Sequence, residues 1–360
     1  MPRIFNFSAG PCTLPLEALE AAKAQFSDYQ GLGMGLVEMS HRTKPVEAMH
    51  QAALDSTKAL LGVPDTHQIL LLGGGATLQF AMAPMNLLAG GRQADYTNTG
   101  AWAKKAIEDA KKFGNITVSF DDKANNYSRL PDPKAVQVAD NAAYYHLTSN
   151  ETIGGIQWQD FPTLKCPIVA DMSSDIMSKP LPFEKFGLIY AGAQKNMGPA
   201  GMTVVIIRKD ILEACPDTLA GYFNYKAHAK ENSMLNTPPV FQIWMLKLVN
   251  EWLAGKGGLK FAADMAHKRS DALYNAIAAS GGFYKSPVDA AVRSKMNVVF
   301  RLPTEELEDQ FVKEAKAQQF DGLKGHRSVG GIRASIYNAM PLEGAQGLAQ
   351  FMAEFARKNG

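Results

Sequence analysis

The chain has 360 residues, 46% of them hydrophobic, enough for a large core and two domains. Its 37 basic and 35 acidic residues leave a net charge of +2, so nothing points to nucleic acid or an anionic membrane as a partner. Three widely spaced cysteines (Cys12, Cys166 and Cys215) with no CxxC pair, and seven histidines with no HExxH, indicate a reduced cytoplasmic setting and no metal site.

The opening residues, MPRIFNFSAGP, carry no long apolar stretch after Arg3, so no signal peptide is expected, and no run reaches the length of a membrane span. Residues 1–15 are turn-rich and read as a lead-in arm. Residues 16–30 have helical spacing after Pro15, and 45–61 read as an amphipathic helix entered through Pro45. Strand patterns follow at Gln68–Leu72, Ala94–Asn98, Ile116–Phe120, Ala142–Leu147, Pro167–Asp171, Leu188–Ala191 and Thr203–Arg208. Helical patterns at Thr77–Leu88 and Ala101–Phe113 alternate with them. That alternation predicts an α/β fold with a mainly parallel sheet flanked by helices. Only a short loop separates Lys195 from Thr203, so the last strand is expected to be antiparallel. Residues 240–280 read as one or two long helices, interrupted at Gly255-Lys-Gly-Gly258. Beyond Pro287, strand (Met296–Arg301), helix (Glu305–Gln319), strand (Ile332–Tyr337) and helix (Leu342–Arg357) make a compact α+β unit. The expected division is an arm (1–15) associated with the small domain, a large domain (16–258) and a small C-terminal domain (259–360).

Lys195 carries the most chemical information. It ends the apolar run Leu188-Ile-Tyr-Ala-Gly-Ala-Gln-Lys195 and precedes a Gly-Pro break and a second strand. A lysine buried there is costly unless neutralised or bonded. An imine with an aldehyde cofactor, pyridoxal phosphate, removes that cost. An ordinary solvated strand-end lysine is the competing reading. Asp171 weighs against it, because Ile168-Val-Ala-Asp171 is another short apolar strand ending in a polar group. Parallel strands bring such ends to one edge. There the carboxylate can hold the proton on the pyridine nitrogen while the lysine holds the aldehyde carbon.

Gly73-Gly-Gly-Ala-Thr-Leu-Gln79 follows a strand and opens a helix, a setting for an anion. It matches neither G-x-x-x-x-G-K-[ST] nor G-x-G-x-x-G, since residue 78 is Leu. A tight strand-to-helix turn is the alternative. Gly31-Leu-Gly-Met-Gly35 has no strand before it and reads as a loop. Trp102 opens a helix where it can stack on an aromatic cofactor or simply pack in the core. Thr152, in Asn150-Glu-Thr152-Ile-Gly-Gly155, can bond a cofactor hydroxyl. Basic residues gather at Ser40-His41-Arg42 and at Gly325-His326-Arg327 with Arg333. Arginine suits bidentate capture of carboxylate or phosphate, and solvation is its commoner fate.

Taken together, these segments resemble the phosphoserine aminotransferase family of fold-type I pyridoxal-phosphate enzymes. The resemblance runs nearly end to end. It is carried by Phe5-Asn-Phe-Ser-Ala-Gly-Pro11, Glu38-Met-Ser-His-Arg42, Ala191 through Gly201, Asn236-Thr-Pro-Pro239, and Gly325-His-Arg through Ile336-Tyr-Asn-Ala-Met-Pro341. It implies that Lys195 binds the cofactor aldehyde and Asp171 pairs with the ring nitrogen. It further implies that Trp102 stacks on the ring and Thr152 bonds the ring hydroxyl. Ala76, Thr77 and Gln194 would hold the phosphate, joined by Asn236 and Thr237 from the second subunit of a homodimer. Arg42 and Arg333 would take substrate anions, with His41, His326 and Arg327 near the substrate phosphate. Some relatives carry Arg at position 77, where this chain has Thr; the departure bears on cofactor affinity. The implied reaction moves an amino group from glutamate to 3-phosphohydroxypyruvate, giving O-phospho-L-serine and 2-oxoglutarate in serine biosynthesis. The same resemblance extends to 4-phosphohydroxy-L-threonine, in pyridoxine biosynthesis.

Three rival readings stand beside it. A small-amino-acid transaminase shares the fold but has less use for two basic clusters. A cysteine desulfurase needs a nucleophilic Cys on a mobile loop, and none of the three lies in an obvious Gly/Ser-rich segment. A non-catalytic phosphate-binding module would use Gly73–Gly75 alone.

Overall fold

The structure, a computed structural model, describes residues 3–360. Its centre is a seven-stranded sheet in the order His67–Gly73, Met202–Arg208, Phe186–Gly192, Ile168–Asp171, Ala142–Thr148, Gln93–Asn98, Asn115–Asp121. Met202–Arg208 runs antiparallel to both neighbours, and every other pairing is parallel. The seven strands fall where the apolar runs predict them.

The inner strands are apolar on both faces because helices cover both. In Met202–Arg208, Met202, Val204 and Ile206 join the cluster beneath Lys44–Leu61 and Val240–Gly255. Val205 and Ile207 point the other way, into the cluster containing Phe80 and Ile107 from helices Ala76–Leu87 and Ala101–Ala110. A third core, built around Phe300, Phe311, Phe351 and Phe355, lies in the C-terminal unit. There Asn297–Phe300 pairs antiparallel with Ile332–Ser335. The arm belongs to this third core: Phe5–Asn6 pairs with Phe320–Asp321, and Phe7 is fully buried.

Two helix ends differ from expectation by three residues or more. The helix predicted over 16–30 spans only Leu16–Ala24. Beyond it Asp28 turns the chain by accepting the Gly33 N–H at 2.8 Å, and Gln30 takes a φ of 56°, which no helix tolerates. The helix Ala101–Ala110 stops short of Phe113, in a turn ending at Gly114. The break at 255–258 is real: Val240–Gly255 and Gly258–Ala279 are separate helices, with Gly257 and Gly258 both at positive φ.

Candidate active site

The parallel strands aim their C-terminal ends at one edge, and the segments leaving that edge build a cavity of about 240 Å³. Gly75, Ala76 and Thr77 follow the first strand, Trp102 opens the helix after Gln93–Asn98, and Thr152 follows Ala142–Thr148. Asp171 ends its own strand, and Gln194 and Lys195 follow Phe186–Gly192. Arg333 and His326 reach in from the C-terminal unit, and Ala9 and Gly10 from the arm.

Lys195 is buried. Its Nζ donates to Thr152 Oγ1 at 2.6 Å and lies 5.7 Å from the centre of the Trp102 ring. Burial pushes its pKa down; Asp171 and Glu151 pull it back up, and Arg333 adds to the fall. The net direction favours the neutral amine, the form that can act as nucleophile or base. The arm lies close over it: a side chain at Gly10, whose φ is +142°, would meet Lys195 Cγ at 3.2 Å.

Asp171 is held on one oxygen. Oδ1 accepts from the Ser173 N–H at 2.9 Å and from Ser173 Oγ at 2.6 Å. Ser173 Oγ in turn accepts from Gly192 N at 3.0 Å, tying the carboxylate to the lysine-bearing strand. Among the described residues no donor takes Oδ2, which leaves it for a partner in the cavity. Burial raises the Asp171 pKa, opposed by Lys195 and the two Ser173 bonds.

At the other end, Gly75 caps helix Ala76–Leu87 with no side-chain bond, so the first-turn N–H groups line the cavity. Gly74 has a φ of +103°, and a side chain at Gly75 would meet nothing within 4 Å, so the backbone lies open there. Among the described residues, buried polar atoms also await partners: Trp102 Nε1 and Arg333 Nε have none, and Arg333 Nη1 reaches the Thr152 carbonyl at 3.5 Å. A covalently competent amine, a carboxylate, a flat indole and an open helix N-terminus in one cavity fit pyridoxal phosphate.

The remaining residues singled out above lie elsewhere in the chain. His41 and the exposed Arg42 sit in the turn before helix Lys44–Leu61 and do not line the cavity. Arg327 is exposed on the loop Gly325–Gly331, over a separate surface depression with Glu305 and Asp309. Asn236 and Thr237 are exposed, and Asn236 Nδ2 bonds the Thr237 carbonyl at 3.2 Å. Residue-by-residue reasoning passed over Ser173, Glu151 and Cys12. Cys12 donates its thiol to the Lys195 carbonyl at 2.8 Å. Burial pushes the pKa of that thiol up to about 12, and those of Cys166 and Cys215 each to about 11, which disfavours the thiolate at all three. Among the described residues no cluster of His, Cys, Asp and Glu is fit to hold a metal ion.

The family model for aminotransferase class-V matches residues 4–348. The chain belongs to that family. A phosphoserine aminotransferase from Geobacillus kaustophilus is 52% identical over 99% of both chains. The solved phosphoserine aminotransferase from Bacillus circulans subsp. alkalophilus superposes with a TM-score of 0.97 at 50% identity, covering 99% of each chain. A further solved phosphoserine aminotransferase, described for radiation damage of its Schiff base, is 45% identical with a TM-score of 0.96, covering 99% of this chain and 100% of its own. The chain is thus a pyridoxal-phosphate-dependent aminotransferase of the class-V family.

Proposed function

We propose that the chain is a pyridoxal-phosphate-dependent phosphoserine aminotransferase, exchanging the amino group between glutamate and 3-phosphohydroxypyruvate. One observation carries the reading: the buried Lys195 amine, bonded to Thr152, shares its cavity with Asp171, Trp102 and Arg333. Bound pyridoxal phosphate supplies an aldehyde carbon that carries the amino group and a ring that draws electrons from the substrate Cα. Asp171, fixed by Ser173, keeps a proton on the ring nitrogen. Thr152 orients the Lys195 amine and, once that amine is released, is free to bond the ring hydroxyl. Lys195 Nζ would be the group that takes the proton from the glutamate Cα, while the bound cofactor would retain the amino group and a water would supply the keto oxygen of 2-oxoglutarate. The second half runs in reverse and ends with O-phospho-L-serine. Trp102 covers the ring face and excludes water. Ala76, Thr77 and Gln194 hold the cofactor phosphate. Arg333 takes the α-carboxylate, and His41, Arg42, His326 and Arg327 serve the distal anion.

The finer assignments rest on the same reading. The enzyme is a homodimer in which Asn236 and Thr237 reach the partner's cofactor phosphate, supported by their exposure and their distance from their own cavity. It works in the cytoplasm, supported by three free thiols; among the described residues no helix is long and apolar enough to cross a membrane. The chain divides into arm 1–15, large domain 16–258 and small domain 259–360, supported by the separate third core and the helix break at 255–258. The test is a coupled assay with glutamate and 3-phosphohydroxypyruvate, alongside borohydride reduction and peptide mapping. Turnover with the label on Lys195 is expected, and a colourless protein without turnover overturns the reading.

A further inference from the structure

Residue 151 is a fully buried glutamate that the reaction above does not use. It sits in the two-residue hairpin strand Asn150–Glu151, paired with Ile156–Gln157. Its carboxylate reaches across to the start of helix Ala101–Ala110. Oε2 accepts the Trp102 N–H at 3.1 Å, and Oε1 accepts the Ala103 N–H at 2.8 Å. The helix itself offers no capping side chain, because its N-cap is Gly100. That glycine is required: a side chain there would meet the Glu151 carboxyl carbon at 2.7 Å. A carboxylate supplied from a distant segment thus takes two of the four open N–H groups of the helix.

The neighbouring residue makes the arrangement functional. Thr152 Oγ1 accepts the Lys195 amine. One dipeptide therefore fixes two groups at once, the helix that presents Trp102 and the lysine 5.7 Å from the Trp102 ring. Asn150 anchors the same hairpin through Ser174 Oγ at 2.8 Å and Asn297 Oδ1 at 2.7 Å. We propose that Glu151 is a positioning residue: its carboxylate holds the Trp102 indole at the height and angle needed to cover the cofactor ring above Lys195. This rests on the pyridoxal-phosphate reading of the cavity.

The test is a double-mutant cycle on cofactor retention in the intact protein. Pyridoxal phosphate dissociation is measured by equilibrium dialysis, with near-ultraviolet circular dichroism of the bound cofactor, for wild type, Glu151→Ala, Trp102→Ala and the double variant. Glu151→Ala is expected to weaken retention about tenfold, the scale of a lost helix cap, and to change the cofactor's dichroism. In the Trp102→Ala background the same change is expected to alter retention less than about twofold, because the indole it positions is gone. A tenfold loss that persists without the indole overturns the proposal. If Glu151→Ala does not fold, Glu151→Gln carries the same cycle: it keeps the volume and one acceptor oxygen, and equal losses in both backgrounds again overturn the proposal. A wild-type protein that retains no cofactor and takes no borohydride label at Lys195 refutes the cofactor reading itself, a separate outcome.

Discussion

Ser173 donates twice to one oxygen of Asp171, from its backbone N–H at 2.9 Å and its hydroxyl at 2.6 Å, while that hydroxyl accepts from Gly192. The carboxylate at one strand end is thus oriented by the strand that leads to Lys195. Orientation of this kind matters because, among the described residues, the other oxygen has no donor and faces the cavity. Asp171→Ala is expected to retain cofactor but lose at least about a hundredfold in kcat, on the scale of a broken buried ion pair. Ser173→Ala removes one charge-assisted bond worth about 1.5–3 kcal/mol and is expected to cost about tenfold or more. Steady-state rates check both, and a Ser173→Ala enzyme at full speed rules out the orienting role.

Lys195→Ala is expected to abolish turnover without unfolding the chain, since among the described residues the amine's one hydrogen bond is to Thr152. Borohydride should no longer fix cofactor to the protein. Peptide mapping of the reduced wild type decides the matter, and an adduct on a different lysine refutes the assignment.

The Glu151 carboxyl predicts a pH effect of definite sign. Burial lifts it from its ordinary 4.5 to about 7, against the pull of the Ala103 and Trp102 N–H groups and of Lys195. The folded protein therefore holds this proton more tightly than the unfolded chain. Its contribution to stability is complete below pH 4.5 and is lost as pH rises through about 7, on the order of 3 kcal/mol across the window. Glu151→Gln cannot titrate. Urea unfolding of the cofactor-free proteins at pH 5 and 7.5 should show the wild type losing more than the variant by that order, and identical losses would contradict it.

Arg333 and Arg327 should separate by half-reaction. Arg333 lines the cavity with an unpartnered buried Nε, so Arg333→Ala should damage both halves. Arg327 is exposed on the 325–331 loop, and Arg327→Ala should slow the phosphoserine half more, because a dianion loses more from a missing cation. Each loss should be about ten- to a hundredfold in kcat/KM. Single-turnover rates with glutamate and with phosphoserine decide it, and equal losses in Arg327→Ala mean that residue does not read the phosphate.

Subunit sharing has its own test. Thr237→Ala should weaken cofactor retention although Thr237 lies outside its own cavity. Mixed dimers of Lys195→Ala subunits with Asn236→Ala/Thr237→Ala subunits should contain one intact site and one doubly defective site. A fully active monomer would remove this assignment.

Much of the site was legible because strand ends are legible. Ile168-Val-Ala-Asp171 and the run into Lys195 are short apolar stretches closed by one polar residue, and parallel pairing brings such ends together. Glu151 was not legible. A glutamate between Asn and Thr reads as a solvated loop residue, and only its reach to Trp102, 49 positions earlier in the first turn of a helix, explains its burial. Ser173 and Cys12 were hidden for the same reason, since their partners are set by tertiary approach rather than by spacing. The helix after Pro15 was over-read because its periodicity continues past Ala24, and only the Asp28 side-chain turn marks its end.

The threading of the arm bears on synthesis of the chain. The Tyr337 hydroxyl donates to the Ala9 carbonyl across 328 positions, and Cys12 meets Lys195 across 183. The seven strands lie between residues 67 and 208 and can pair while the rest is still on the ribosome. The Ala9 carbonyl has no Tyr337 hydroxyl to meet until the chain reaches that residue. A nascent chain stalled before residue 337 is therefore expected to leave the arm without this contact.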